Sequence, residues 1–249
     1  MSLLDELVCA AHERTAQMVV PSNTTTAKPA SFSAALLASP GLALIAEVKR
    51  KSPSKGAFES HLSLTERARI YEANGASAIS VLTEPTRFGG CVDDLAEIAR
   101  VTRLPILMKD FVVDMKQIHI ARAVGASAVL LIVRALSAEQ LAELIAVTHE
   151  CGLEALVECH TAFETDQALK AGAQIIGVNN RNLDTFAIDR RNAPKLLSAL
   201  PNGVVRVAES GYACAGDLEA LPTEVDAILV GGALMTAADV GGLVRELAQ

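Results

Sequence analysis

The 249-residue chain has no tryptophan, and aromatic residues make up only 3% of it. Base stacking on aromatic side chains is therefore not expected. Basic residues are in the minority, 22 against 29 acidic ones, and the net charge is −7. Because sequence-independent nucleic-acid binding depends on clustered Lys and Arg, no nucleic-acid partner is expected.

Long hydrophobic runs and paired cysteines are also missing. The longest aliphatic stretch, residues 128–133, is far too short to cross a bilayer, and the N-terminus lacks the features of a signal peptide. The five cysteines form no Cys-x-x-Cys pair, so neither a disulfide framework nor a metal site is expected. These absences predict a cytoplasmic protein with reduced thiols and no membrane partner.

The chain does contain a repeated alternation of short apolar runs and helical stretches. The apolar runs lie at residues 42–49, 78–83, 105–109, 128–133, 154–158, 175–179, 204–209 and 227–231. Each run is followed by a helical stretch, and several of these helices end in a glycine that leads into the next run. Near-continuous apolar strands alternating with helices are typical of a parallel sheet covered by helices.

Eight such units are the number that closes into a barrel, and the length suits a single barrel domain. A doubly wound open sheet is disfavoured because neither dinucleotide nor P-loop glycine motifs occur. We predict an α/β fold, a single (β/α)8 TIM barrel over residues 1–249. Residues 1–40 are predicted to be an N-terminal helical extension with helices near 3–19 and 31–38 around a loop at 21–29. The extension either plugs the barrel bottom or covers the substrate mouth.

Charged and amide residues stand at the C-terminal ends of the apolar runs. They are Glu47, Lys49, Lys109, Glu158, Asn179, Arg181, Glu209 and Ser210. Active sites of barrel enzymes lie at this end of the strands. Any one of these residues is compatible with an ordinary salt bridge, but burying so many charges is costly unless they have a use. We predict that they converge on one mouth.

Glycines after the last two runs suggest a site for an anion. Ser210-Gly211 follows the seventh run and Gly231-Gly232 the eighth, where many barrels bind phosphate through backbone N–H groups. A glycine pair after a strand is also common in a plain tight turn. Lys49, Ser52 and Lys55, in the loop after the first run, could add charge and hydrogen bonds there.

Several segments also carry a family resemblance. They are IAEVKRKSPSKG at 45–56, SVLTE at 80–84, PILMKDF at 105–111, LLIV at 130–133, EALVE at 154–158, IGVNNRNL at 176–183 and AESG at 208–211. In this order the chain resembles the indole-3-glycerol-phosphate synthases of tryptophan biosynthesis. The resemblance implies ring closure of 1-(2-carboxyphenylamino)-1-deoxyribulose 5-phosphate to indole-3-glycerol phosphate, with release of CO2 and water. It implies no metal or organic cofactor.

The resemblance also implies roles for the catalytic residues, which are Glu47, Lys49, Lys109, Glu158, Asn179 and Ser210. Lys109 is expected to be the general acid, with a pKa lowered by nearby Lys49 and partial burial. Glu158 is expected to do acid–base work in the dehydration. Lys49 either binds a substrate anion or assists proton transfer.

The remaining expected contacts are with substrate. The substrate-binding residues are Ser52, Phe88, Phe111, Leu131, Arg181, Leu183, Glu209, Gly211, Gly231 and Gly232. The apolar ones among them are candidates for the wall around the aromatic ring. No histidine matches a catalytic position, and His160 is interpreted as a surface residue at a strand end.

Two other functions remain open at this stage. A Schiff-base aldolase with Lys109 as nucleophile fits a buried strand-end lysine but does not account for Glu158, Asn179 and Arg181. A barrel kept only for binding has no need of Lys109 and Glu158. The expected partner is a phosphorylated small molecule, and the chain is expected to be a monomer.

Overall fold

The computed structural model describes residues 2–20, 29–53, 56–58 and 61–248. Nearly all of the loop predicted at 21–29, and Lys55, lie outside the described residues. The barrel strands are β1 Ala43–Val48, β2 Ala78–Leu82, β3 Ile106–Lys109, β4 Ala128–Ile132, β5 Glu154–Cys159, β6 Ile175–Asn179, β7 Val205–Glu209 and β8 Ala227–Val230. Each strand pairs in parallel with its neighbours, and β8 pairs with β1 to close the barrel. The predicted (β/α)8 fold is confirmed.

Apart from the first two helices, which lie at the ends of the barrel, the helices cover its outside. They are α1 Leu3–Gln17, α2 Phe32–Leu37, α3 Leu64–Ala73, α4 Val92–Ala99, α5 Met115–Val124, α6 Ala138–Glu150, α7 Ala162–Lys170, α8 Asn192–Leu197, α9 Gly232–Thr236 and α10 Val240–Leu247. The expectation that every strand is followed by a helical stretch is wrong at β7, where a single 3₁₀ turn, Ala215–Asp217, takes the place of a helix. Gly216 and Pro222 in this connection both disfavour a longer helix.

Local sequence explains where the helices begin and end. Ser63 and Ser137 cap α3 and α6 by accepting the N–H of the third helical residue, Glu66 and Gln140, which in turn caps the serine N–H. Gly125 ends α5 with φ +97°, a left-handed conformation that glycine adopts without steric cost.

Strand alternation divides the apolar side chains into two layers. Ile45, Leu107 and Leu156 belong to the cluster that fills the barrel, whereas Leu44 and Val157 belong to the cluster between strands and helices. Since both faces are covered, the strands are mostly apolar, and several of their charged residues stand at the strand ends. Within the described residues, no helix is both long and apolar enough to cross a membrane.

The N-terminal extension occupies both ends of the barrel. Phe32 and Leu36 of α2 are buried in the barrel-filling cluster, and Ser31 donates to Glu154 Oε1 at the start of β5 (2.7 Å). At the opposite end, Arg14 of α1 donates to Asp110 Oδ1 just after β3 (2.6 Å). From the sequence, the extension could either plug the bottom of the barrel or cover its mouth. The structure places α2 at the bottom and α1 at the mouth.

Candidate active site

A cluster of buried charges lies at the C-terminal mouth of the barrel. Glu47, Glu158 and Glu209, from β1, β5 and β7, are at most 3% exposed. Lys109, the last residue of β3, places its Nζ 3.4 Å from Glu158 Oε2 and 3.8 Å from Glu209 Oε2. Their strand positions face the interior, so the predicted convergence of these side chains is what the structure shows.

The electrostatics of the cluster differ from the sequence-based expectation for Lys109. Burial opposes its charge, but Glu158, Glu209 and Glu47 outweigh burial and raise the pKa of Lys109 above its ordinary value. The expectation of a lowered pKa is therefore wrong. The reason is that carboxyl groups surround Lys109, with Glu158 and Glu209 within 4 Å of its Nζ, whereas Lys49, expected to repel it, is ion-paired with Glu47.

The two carboxyl groups beside Lys109 titrate differently. Burial, followed by repulsion from Glu158, raises the pKa of Glu209 to about 8. Burial also acts on Glu158, but the charges of Lys109 and His160 and a hydrogen bond from Asn179 hold its pKa below the ordinary value. At neutral pH the mouth therefore contains an ammonium group, a carboxylate and a neutral carboxyl group.

Glycines allow the carboxylates to sit against the barrel wall. A Cβ at Gly231 would collide with Glu47 Oε1 and would lie 2.8 Å from Lys49 Nζ, and a Cβ at Gly177 would collide with Glu209 Oε1. Lys49 Nζ also lies 5.9 Å from the ring centroid of Phe58, within the range of a cation–π contact.

The loops after β6 and β7 are joined by a residue that the sequence reading missed. Asn180 donates to the Ser210 carbonyl (2.9 Å) and to the Tyr212 hydroxyl (3.0 Å), and its own Oδ1 accepts the Ala193 N–H (2.8 Å). The only feature of the sequence that could have pointed to Asn180 is that it directly follows Asn179 in the Asn-Asn-Arg segment. The preceding Asn179 accepts the Arg181 N–H (2.9 Å) and so orders the start of the loop.

The glycine-rich turns form the neighbouring part of the mouth. Ser210 and Gly211 both have positive φ, +65° and +95°, and a Cβ at Gly211 would lie 2.8 Å from Ile188 Cγ2. Gly231 precedes α9, which begins at Gly232. Ser52 belongs to a short hairpin after β1, Lys51–Ser52 with Gly56–Ala57, whose Lys51 N–H donates to the Phe88 carbonyl (3.2 Å).

An apolar surface lies between the charged cluster and α1. Phe88, Phe111 and Leu183 pack in the barrel-filling cluster together with Leu4 and Leu7 of α1. Leu131 does not: it packs in the outer layer, and its neighbour Ile132 takes the interior position. The expectation that Leu131 lines the mouth is therefore wrong, because the strand alternation that places Leu130 and Ile132 inside turns Leu131 outward.

His160, interpreted above as a surface residue, is nearly enclosed. Its side chain is 8% exposed, and its Nε2 lies 3.5 Å from Glu158 Oε1. The reason is that α7 and α8 cover the end of β5: the His160 N–H donates to Glu164, and its carbonyl accepts from Asn192 (3.0 Å).

A closed barrel whose mouth gathers a partly buried ammonium group, buried carboxyl groups of unequal acidity and glycine turns defines a (β/α)8 barrel enzyme built for proton transfer. Residues 5–247 match the family model "Indole-3-glycerol phosphate synthase". The chain is 50% identical over 222 residues to "Indole-3-glycerol phosphate synthase 2" of Streptomyces coelicolor, covering 89% of this chain and 86% of that protein. It is 47% identical over 229 residues to the Rhodococcus jostii protein "Indole-3-glycerol phosphate synthase", covering 92% and 85%. The chain belongs to the indole-3-glycerol phosphate synthase family, whose members are carboxy-lyases of tryptophan biosynthesis.

More distant solved structures share the fold alone. Thiamine phosphate pyrophosphorylase from Pyrococcus furiosus superposes with a TM-score of 0.63 at 20% identity, over 83% of this chain and 93% of that one. KGPDC from Streptococcus mutans gives a TM-score of 0.63 at 15% identity, over 83% and 95%. Identity this low places no residue of the site.

Proposed function

We propose that this chain closes the ring of 1-(2-carboxyphenylamino)-1-deoxyribulose 5-phosphate to give indole-3-glycerol phosphate, CO2 and water. The observation that carries the proposal is Lys109, partly buried at the mouth between Glu158 and Glu209. In a chain of this family, that arrangement is suited to a reaction that protonates a ketone and later removes a hydroxyl group.

Ring closure needs a proton donor at the ketone. The aromatic carbon that bears the carboxylate attacks the ketone carbon, and negative charge develops on the ketone oxygen. The raised pKa of Lys109 keeps this side chain as an ammonium group that can donate to that oxygen. Its two carboxyl neighbours position the Nζ and replace water around it.

Loss of CO2 follows because attack interrupts the aromaticity of the ring. The bond from the ring carbon to the carboxylate breaks, and its electrons restore the aromatic system. A carboxylate loses a charge as CO2 departs, so weak solvation of the carboxylate favours this step. Phe88, Phe111, Leu183 and Ile132 supply the apolar surroundings, with Arg181 holding the carboxylate until the bond breaks.

Dehydration then forms the indole. The hydroxyl group leaves with a proton from a lysine, Lys109 or Lys49, and a carboxylate removes a proton from the adjacent ring carbon. Glu158 suits the second role because its lowered pKa keeps it ionised. Glu47, paired with Lys49, orients that lysine and the substrate amine.

The remaining contacts hold the sugar phosphate. Asn179 and Glu209 are placed to hydrogen-bond the hydroxyl groups, and below about pH 8 Glu209 is able to donate as well as accept. Backbone N–H groups at Gly211, Gly231 and Gly232, with Ser210, Ser52 and Lys49, are proposed to bind the phosphate.

The test is a fluorescence assay of indole-3-glycerol phosphate formation in buffer with EDTA, where the absence of tryptophan keeps the protein background low. We expect product from the unaltered chain and a kcat at least about 100-fold lower in Lys109→Met. Lys170→Met, on the exposed end of α7, is the control and should leave kcat unchanged. No product from folded, unaltered protein would reject the proposal.

The aldolase alternative requires a neutral lysine as nucleophile. The raised pKa of Lys109 works against it, because an ammonium group cannot attack a carbonyl. We expect borohydride added with the ketone substrate to leave Lys109 unmodified by mass spectrometry. A covalent adduct on Lys109 would favour the aldolase.

A further inference from the structure

His160, just beyond the end of β5, lies outside the charged cluster but contacts Glu158, which the proposed reaction needs. Lys109 Nζ lies on the Oε2 side of Glu158, and His160 Nε2 lies 3.5 Å from Oε1. Each oxygen of this carboxylate therefore faces a different nitrogen. The contact between Glu158 and His160 plays no part in the steps derived above.

The two facing atoms are both buried and neither has a hydrogen-bond partner among the described residues. This is true of Glu158 Oε1 and of His160 Nε2. A buried polar atom without a partner costs free energy, so the pair is favoured when one proton lies between them. A small approach of the two side chains, as a ligand orders the mouth, would complete that hydrogen bond.

The other ring nitrogen fixes which atom of His160 is available. Glu164 Oε2, in the first turn of α7, lies 3.3 Å from His160 Nδ1 and also accepts the His160 backbone N–H at 2.6 Å. A carboxylate facing Nδ1 holds a proton on that nitrogen. In the neutral ring, Nε2 is therefore the nitrogen free to take up a second proton, on the side of Glu158.

The backbone of His160 is held from both directions. Its N–H donates to Glu164, and its carbonyl accepts from Asn192 Nδ2 at 3.0 Å, so α7 and α8 both fix its place. A ring fixed in this way can orient the carboxylate it contacts, as a base is commonly oriented by a third group in catalytic sites.

We propose that His160, fixed by Glu164, is a positioning residue that orients Glu158 and shares a proton with it through Nε2. This inference rests on the function proposed above. When Glu158 has taken a proton from the ring carbon, its O–H bond breaks and an Nε2–H bond forms. Glu158 is again a carboxylate, and the imidazolium is balanced by Glu164. The proton then returns to Glu158 and passes from its Oε2 to Lys109 Nζ, 3.4 Å away, which gave up a proton to the ketone oxygen earlier in the turnover.

The experiment uses two amides that each keep half of the imidazole contacts. The amide nitrogen of Asn corresponds to Nδ1 and can still donate to Glu164, whereas that of Gln corresponds to Nε2 and can reach Glu158. We expect His160→Asn to lower kcat roughly tenfold with KM changed less than twofold. His160→Gln should recover at least half of the lost activity. His149→Asn, on the exposed last turn of α6, should leave kcat unchanged.

The pH profile separates positioning from a purely structural role. The groups that face the imidazole are Glu158 from β5 and Glu164 from α7, with Lys109 and Glu209 beyond Glu158. The charge of His160 helps to hold the pKa of Glu158 down, so its removal should move the acid limb of the kcat profile to higher pH. Glu164→Gln should move it in the same direction, and this variant serves if a His160 variant fails to fold.

The outcomes are distinct. An unaltered kcat and acid limb in His160→Asn would overturn the inference while leaving the proposed function intact. Equal losses in the Asn and Gln variants, with lowered melting temperatures and an unmoved limb, would mean a structural role and would also overturn it. No turnover by the unaltered chain would overturn the proposed function, and the inference with it.

Discussion

At the scale of single residues, Glu209 shows how the mouth stores a proton. It is 1% exposed at the end of β7, and burial together with the charge of Glu158 raises its pKa to about 8 from an ordinary 4.5. The folded protein therefore keeps a proton at neutral pH that the unfolded chain would release. The free energy of unfolding should fall as pH rises between these two values, because the folded state binds more protons over that interval.

This gives a prediction for Glu209→Gln. The amide has nearly the same shape and never ionises, so the variant should escape the loss of stability that accumulates between pH 4.5 and about 8. We expect its melting temperature to exceed that of the unaltered protein by about 3 °C or more at pH 9, and by much less at pH 6. Thermal unfolding followed by circular dichroism at both pH values measures this. A difference that does not grow with pH would contradict the prediction.

Residue-level expectations succeeded where the pattern was local to a strand end. Glu47, Lys109 and Glu158 follow apolar runs, and that position alone places them at the mouth. The expectation that Leu131 lines the mouth failed because its strand is buried on both faces. Such a run of aliphatic residues has no polar alternation that would show which side chains point into the barrel. The environment of His160 depends on α7 and α8, which lie beside it only in the folded chain, so its sequence position could not show its burial.

The expected lowering of the Lys109 pKa was wrong for a related reason. Sequence showed two lysines and several carboxylates near one mouth but not which pairs would form. Because Glu47 pairs with Lys49, Lys109 is left between Glu158 and Glu209. The sign of an electrostatic shift depends on distances of a few ångströms, and spacing along a strand does not provide them.

At the scale of elements, α1 is fastened to the mouth through Arg14, which pairs with the buried carboxyl groups of Asp110 (2.6 Å) and Glu84 (3.9 Å). Arg14 donates to Asp110 Oδ1, and Thr83 donates to the other oxygen at 2.9 Å. Arg14 is 21% exposed and Asp110 3%. A second pair, Arg87 with Glu6, joins α1 to the loop after β2, but these side chains are 51% and 47% exposed.

The unequal burial of these two ion pairs predicts unequal effects. Arg14→Gln leaves a buried carboxyl without its cation and loosens the helix that packs on Phe88 and Phe111, so we expect KM to rise about fivefold or more. Arg87→Gln should change KM less than twofold, because exposed pairs contribute little. Steady-state kinetics of both variants decide the matter. Equal effects would mean that α1 is held by its apolar contacts instead.

The elements themselves were largely predictable, and the N-terminal extension shows the limit. Helices α1 and α2 were expected within two residues of their observed ends, because their periodicity and capping residues are local. The ends of the barrel against which these two helices pack could not be predicted. An amphipathic helix offers the same apolar stripe to either end of a barrel. Polar contacts such as those of Arg14 with Asp110 and of Ser31 with Glu154 distinguish the two ends, and they form only in the folded chain.

At the scale of the whole molecule, contacts that stabilise the fold and the charged cluster of the mouth lie at opposite ends of the barrel axis. Glu154 accepts from the Ser31 hydroxyl (2.7 Å) and the Ser33 N–H (2.5 Å) at the bottom, whereas Glu158, four residues later on β5, lies at the mouth. Contacts at the bottom hold α2 over the interior and do not meet the charged cluster.

The predicted result for Glu154→Gln is a loss of stability alone. The amide N–H groups cannot replace both accepting oxygens, so the melting temperature should fall by about 4 °C while kcat and KM stay unchanged. Glu143→Gln, on the exposed face of α6, is the control. Calorimetry and the fluorescence assay on the same preparations would test this. A fall in kcat would show that the bottom is coupled to the mouth.

The pairing of β8 with β1 also determines when, during synthesis of the chain, the site can assemble. Glu47 lies on the first strand that the ribosome makes, but the wall it rests against includes Gly231, which follows the eighth. A nascent chain therefore carries the charged side chains of the mouth without an assembled site until the eighth strand joins the first. Activity should switch on in a single step once the eighth strand has joined the first, and a chain arrested before residue 227 should be inert however well its first seven strands have formed.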